Sequence, residues 1–119
     1  MILKFENKFL NIGDFELEMP WPILDVADDG QRIFVLLDPE SYLGDKDYVA
    51  GRRSGLPPIK NLLAFSQKGD LLWSAEFPSE VDYYYKISSL HPLTVNSFSS
   101  FRCEIDSRNG EIIRREFFK

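Results

Sequence analysis

NLLAFSQKGDLLWSAEF, residues 61–77, has the pattern of two strands around a turn. Two apolar runs, Asn61–Phe65 and Asp70–Phe77, stand either side of Gln67-Lys68-Gly69. Glycine accepts the positive φ that a tight reversal needs, so the stretch predicts an antiparallel hairpin. The same arrangement recurs upstream, where ILDVA (23–27) and RIFVLL (32–37) flank Asp28-Asp29-Gly30-Gln31. It recurs downstream, where FRCEID (101–106) and EIIRREFF (111–118) flank Ser107-Arg108-Asn109-Gly110. Residues 14–19, DFELEM, alternate polar and apolar, which predicts a half-buried strand with Phe15, Leu17 and Met19 inward. YYYKIS (83–88) and LTVNSF (93–98), split by His91-Pro92, are rich in aromatic and β-branched residues. No segment carries a sustained 3.6-residue apolar stripe, so the chain is expected to be all-β, a single domain over residues 1–119.

The hairpins resemble one another. Aligning Gly69 with Gly110 sets Leu71-Leu72 against Ile112-Ile113 and Glu76-Phe77 against Glu116-Phe117, with one extra residue in the later turn. IGDFELEMP (12–20) is a shorter copy of GDLLWSAEFP (69–78). Repeats near 40 residues are the sequence form of propeller blades. NLLAFSQKGDLLWSAEF and FRCEIDSRNGEIIRREF resemble the outer hairpins of blades in quinoprotein-like β-propellers. Two blades and an N-terminal piece cannot close a ring. The expectation is therefore a half-propeller or two packed sheets, with a β-sandwich of eight to ten strands as the alternative. Without a central funnel, the cofactor site of enzymatic propellers does not carry over.

Composition narrows the function. The 119 residues are 44% hydrophobic and 28% charged, values of a folded chain rather than a disordered one. One cysteine, Cys103, excludes an internal disulfide and fits a reducing compartment. Fourteen Lys plus Arg against nineteen Asp plus Glu argue against a nucleic-acid binder. No apolar run reaches the ~20 residues of a membrane span. Lys4, Glu6 and Lys8 occupy the place where a signal peptide would be apolar, so a cytoplasmic location is expected. Residues 1–50 hold eleven acids and four bases, whereas residues 51–119 hold eight acids and ten bases. That split can attract a basic partner.

Little chemistry is legible. The lone histidine, His91, sits in a turn with no nucleophile elbow nearby. Cys103 shares a strand face with Phe101 and Ile105 and reads as a core residue. Asp25, Asp28 and Asp29 before Gly30 miss the alternation of a calcium loop and read as turn residues. Single glycines in turns form no phosphate cradle. No enzyme, metal or cofactor is expected.

Partner binding is assigned to Asp38–Pro58, DPESYLGDKDYVAGRRSGLPP, a 21-residue connection between strands and thus long enough to be functional. Asp38-Pro39-Glu40 suits the start of one helical turn. Asp38, Glu40, Asp45 and Asp47 supply charge, while Tyr42, Tyr48, Arg52 and Arg53 are residue types that anchor interfaces. In YYY, Tyr83 and Tyr85 share a face and Tyr84 takes the other, which makes Tyr84 a further candidate. Small, acidic and without catalytic motifs, the chain is similar overall to immunity proteins of bacterial contact-dependent growth inhibition systems. That resemblance implies a toxin partner, a basic ribonuclease domain whose cleft an acidic protein could cover. The alternative is a non-catalytic adaptor that pairs through open sheet edges.

Overall fold

The computed structural model describes residues 3–80 and 82–118. Eleven strands and two short helices follow one another among these residues. They are β1 (Leu3–Glu6), β2 (Phe9–Ile12), β3 (Phe15–Glu18), β4 (Ile23–Asp28), β5 (Arg32–Leu37), α1 (Pro39–Leu43), α2 (Lys46–Arg53), β6 (Leu62–Ser66), β7 (Leu71–Ser74), β8 (Tyr84–Leu90), β9 (Leu93–Ser97), β10 (Phe101–Ile105) and β11 (Ile112–Phe117). Every pairing is antiparallel. Sheet 1 runs β1-β2-β3, sheet 2 runs β4-β5-β6-β7, and sheet 3 runs β8-β9-β10-β11 in space. The three sheets do not close into a barrel.

The three expected turns are present. In the first, Asp28 and Asp29 carboxylates accept the backbone N–H groups of Gly30, Gln31 and Arg32, and Gly30 takes a φ of 92°. Gly69 and Gly110 take positive φ at the other two.

There are three layers, which departs from two packed sheets and from the two layers of a sandwich. One core holds Phe34, Leu36, Leu62 and Trp73 of sheet 2 against Leu93, Val95, Cys103 and Ile105 of sheet 3. A second holds Ile33, Val35, Leu37 and Phe65 of sheet 2 against Leu10 and Ile12 of sheet 1. Sheet 2 is therefore covered on both faces, which is why RIFVLL and NLLAF are continuous apolar runs rather than alternating ones.

The repeat in the sequence is a repeat in the packing. Each sheet ends on a hairpin with a glycine turn: Gly13 in β2–β3, Gly69 in β6–β7, Gly110 in β10–β11. A Cβ added at Gly69 would lie 2.8 Å from Phe15 of β3, and one at Gly110 would lie 2.6 Å from Trp73 of β7. Each of these two turns thus seats on the last strand of the preceding sheet. Trp73 Nε1–H also donates to the Ser107 carbonyl at 2.9 Å. At the opposite edges, β1 adjoins β4 and β4 adjoins β8, so the first strands of the three sheets gather together.

Asn61, fully buried, ties sheet 2 to sheet 3. Its Nδ2 donates to the carbonyls of Leu37 (3.0 Å) and Tyr84 (2.7 Å), and its Oδ1 accepts the Tyr84 N–H at 3.0 Å.

Candidate functional site

The 38–58 connection is not a loop throughout, and this corrects the expectation. Asp38, in extended conformation, caps α1 by accepting the Glu40 N–H, and Pro39 occupies the first turn. Asp45 caps α2 by accepting the N–H groups of Asp47 and Tyr48, each at 3.0 Å. Arg52 and Arg53 close the last turn, and Gly55 leaves it at a φ of 95°. An aspartate cap, an acid in the first turn and bases before Ser54-Gly55 are the start and stop signals of a helix. They could have been read from Asp45 to Gly55. The helices escape a search for apolar periodicity because α2 buries no residue fully.

The helical segment packs through aromatic rings. Tyr42 is buried between Trp21 (centroids 5.7 Å apart) and Tyr48 (5.2 Å, edge-on). Burial, with Tyr48, Tyr83 and Asp38 nearby, pushes its phenol above the ordinary tyrosine range. Its hydroxyl has no hydrogen-bond partner among the described residues. The Tyr48 hydroxyl accepts the Ile59 N–H at 3.3 Å. Tyr42 is therefore a core residue and not an interface anchor.

Tyr84 requires the same correction. It is fully buried, donates its hydroxyl to the Glu76 carbonyl at 2.6 Å, and belongs to the core between sheets 2 and 3. The cause is a bulge. Tyr84 faces Ser97 while Lys86 faces Asn96, so Tyr85 is an extra residue and the strand's alternation inverts there. Counting back from the apolar Ile87 selects the wrong face.

What YYY presents outward is Tyr83 and Tyr85. Tyr83 stacks on Phe98 with centroids 5.0 Å apart and planes 19° from parallel. Phe98 is 65% exposed and Tyr85 41%. Two hollows flank the stack. One, of about 420 Å³, has Leu43, Tyr48, Val49, Arg52 and Arg53 on its far wall. The other, of about 350 Å³, has Leu24, Asp38, Pro39, Glu40 and Tyr85. The structure thus brings Tyr48, Arg52 and Arg53 to one side of the stack and Asp38 and Glu40 to the other. Asp47 lies apart, on a smaller hollow with Leu56 and Ile59. Sequence reading missed Tyr83, Tyr85 and Phe98.

Beneath the stack, Asp82 is buried and fully engaged. Its carboxylate accepts the Tyr83 N–H (2.9 Å), the Ser99 N–H (3.2 Å) and the hydroxyls of Ser79 (3.0 Å) and Ser99. Burial, then Glu40, Asp82 and Tyr85, raise the Tyr83 phenol. Arg52 donates to the Leu56 carbonyl. The hollows therefore offer aromatic and aliphatic surface with charged rims. Cys103 is fully buried, and burial raises its thiol. His91 is exposed at the β8–β9 turn. No group of three or more His, Cys, Asp or Glu side chains among the described residues could hold a metal ion. No helix there is long and apolar enough to cross a membrane.

The second candidate surface is the set of outer sheet edges, β3, β7 and β11, which have a strand on one side only. β7 exposes Leu71 (59%) and Leu72 (46%), and β11 exposes Ile113 (59%) and Phe117 (62%). Arg102 faces Glu116 and Glu104 faces Arg114 across the β10–β11 pair. The Phe118 N–H bonds the Ser100 carbonyl at 2.8 Å. By the alternation of an antiparallel ladder, Glu116 and Arg114 then bond β10, while Phe117 and Arg115 turn their backbone groups to the open edge.

Among known proteins, the chain is 32% identical over 93 residues to sulfate adenylyltransferase subunit 1 of Photobacterium profundum, a match covering 78% of this chain and 18% of that protein. The chain thus spans less than a fifth of that relative's length. No solved structure matches. Residues 1–117 match a family model over nearly the whole chain, and the protein belongs to that family, described as "Domain of unknown function (DUF7957)".

Proposed function

We propose that the chain is a non-catalytic binding module, three blades of an incomplete β-propeller, that engages another polypeptide by strand addition at an open sheet edge. The observation that carries this reading is β11, whose backbone groups at Arg115 and Phe117 face outward beside two exposed apolar side chains. A strand with unpaired backbone groups on one side is a template for pairing, and natural proteins either cover such edges or use them. The blade reading draws support from the glycine hairpin that ends each sheet and from the gathering of the first strands.

A second reading is blockade of a basic toxin domain by the acidic N-terminal half. It draws on the charge split and on Asp38 and Glu40 beside Tyr85. Against it, Asp28, Asp29, Asp38 and Asp45 already have a local cause as turn and cap residues. Edge pairing needs no such double duty.

Photo-crosslinking side chains placed singly at Leu72, Phe117, Arg53 and Tyr85 in living cells separate the two. Protein adducts at Phe117 or Leu72 are expected. Adducts confined to Arg53 and Tyr85 would reject edge pairing in favour of the hollows.

A further inference from the structure

We propose that β11 pairs antiparallel with β11 of a second copy of this chain, about a two-fold axis through Arg115. This deepens the edge-pairing reading, on which it rests, by naming the partner.

The register follows from the strand itself. Arg115 and Phe117 direct their backbone groups outward. An axis through Arg115 lets the two Arg115 residues exchange both backbone hydrogen bonds. It also sets Arg114 opposite Glu116 of the second copy, twice by symmetry, and brings the exposed Ile113 and Phe117 of opposite copies together. An axis one residue earlier opposes Arg114 to Arg114, and one residue later opposes Glu116 to Glu116. Directly opposed like charges oppose pairing, and unlike charges favour it.

The charge pattern continues inward from the edge. Glu104 lies across from Arg114 and Arg102 across from Glu116 within one copy. Pairing therefore yields a row Glu104, Arg114, Glu116, Arg102 that alternates in sign over four strands, the last two in the second copy. Arg115 at the axis is drawn into its own chain. Its guanidinium donates to the Pro78 carbonyl and lies 5.4 Å from the centre of the Phe101 ring. The other outer edges lack this self-complementarity. β3 carries Glu16 and Glu18, so any register opposing its charges sets like against like, and β7 carries no charged side chain from Leu71 to Ser74. An isologous contact of this kind closes on itself as a dimer and does not grow into a fibre.

The test is sedimentation velocity on the wild type, on Arg114→Glu, on Glu116→Arg, and on the two variants mixed. The wild type is expected to dimerise with rising concentration. Each variant alone places like charges in both symmetric pairs, and its dimer dissociation constant should rise roughly tenfold. In the mixture, the carboxylate introduced at 114 meets the guanidinium introduced at 116, and native Arg114 meets native Glu116. A heterodimer of near wild-type strength should form, which neither misfolding nor a lost contact within one copy would produce. A wild type that stays monomeric overturns the proposal. So does a wild-type dimer that both variants retain, or a mixture that fails to associate. Adducts at Leu72 or Phe117 with other proteins would still uphold the edge-pairing function in those cases, so the two failures are distinguishable.

Discussion

Asn61 shows how much one side chain can carry in a stack of sheets. Replacing it with Ala leaves the Tyr84 N–H and the Leu37 and Tyr84 carbonyls without a buried partner. Loss of that many bonds should cost about 3 kcal/mol, read as a lower urea midpoint. Tyr42 is the opposite case. Its hydroxyl is buried and unpartnered, so Tyr42→Phe should leave stability unchanged or raise it by up to about 1 kcal/mol. A clear loss of stability would show that the hydroxyl has a partner. Neither residue was legible as such in the sequence. Asn61 reads as the first residue of a strand, and only the arrival of β8 in three dimensions gives its amide a role.

Among the elements, the hairpins were the most legible, because Asp, Asn and Gly at a reversal have a local cause that tertiary structure seldom overrides. The Gly69–Gly110 alignment went further, since both glycines seat on the preceding sheet. Gly110→Ala combines a φ of 80° with a Cβ 2.6 Å from Trp73, so it should destabilise by about 2 kcal/mol or more, visible in thermal unfolding. The faces of β8 were not legible, because a bulge leaves no mark in composition. Helix α2 was missed for another reason: its apolar residues, Tyr48, Val49 and Ala50, are consecutive and form no spaced stripe, although its caps were in plain view. Those caps bear on any charge-reversal test, because replacing Asp45 removes the α2 cap hydrogen bonds as well as a charge. The turn after β10 carries a pH signature. Hydrogen bonds and charge from Arg108 hold Asp106 down at about 2, below its ordinary 3.8. The unfolded chain therefore takes up the proton first as pH falls. The stabilising effect is complete above the ordinary value and fades as pH drops towards 2. Urea midpoints of the wild type and Arg108→Ala should converge across that window, and a constant gap would refute the pairing.

For the whole molecule, the outward faces of the two end sheets are polar. Sheet 1 presents Lys4, Glu6, Glu16 and Glu18, and sheet 3 presents Arg102, Glu104, Arg114 and Glu116. Stacking a further sheet face to face would desolvate those charges. Pairing at an outer edge leaves those faces in water, as the edge-pairing proposal requires. Composition told of acidity but not of where the acids are spent, and several are spent on turns and caps. Amide hydrogen exchange resolved by residue reads the open edge of β11 itself. With rising protein concentration, or with a crosslinked partner added, the Arg115 and Phe117 amides should slow while those of Tyr48 to Arg53 keep their rates. Protection of the 48–53 amides and of Tyr85, with Arg115 and Phe117 exchanging freely, would contradict edge pairing.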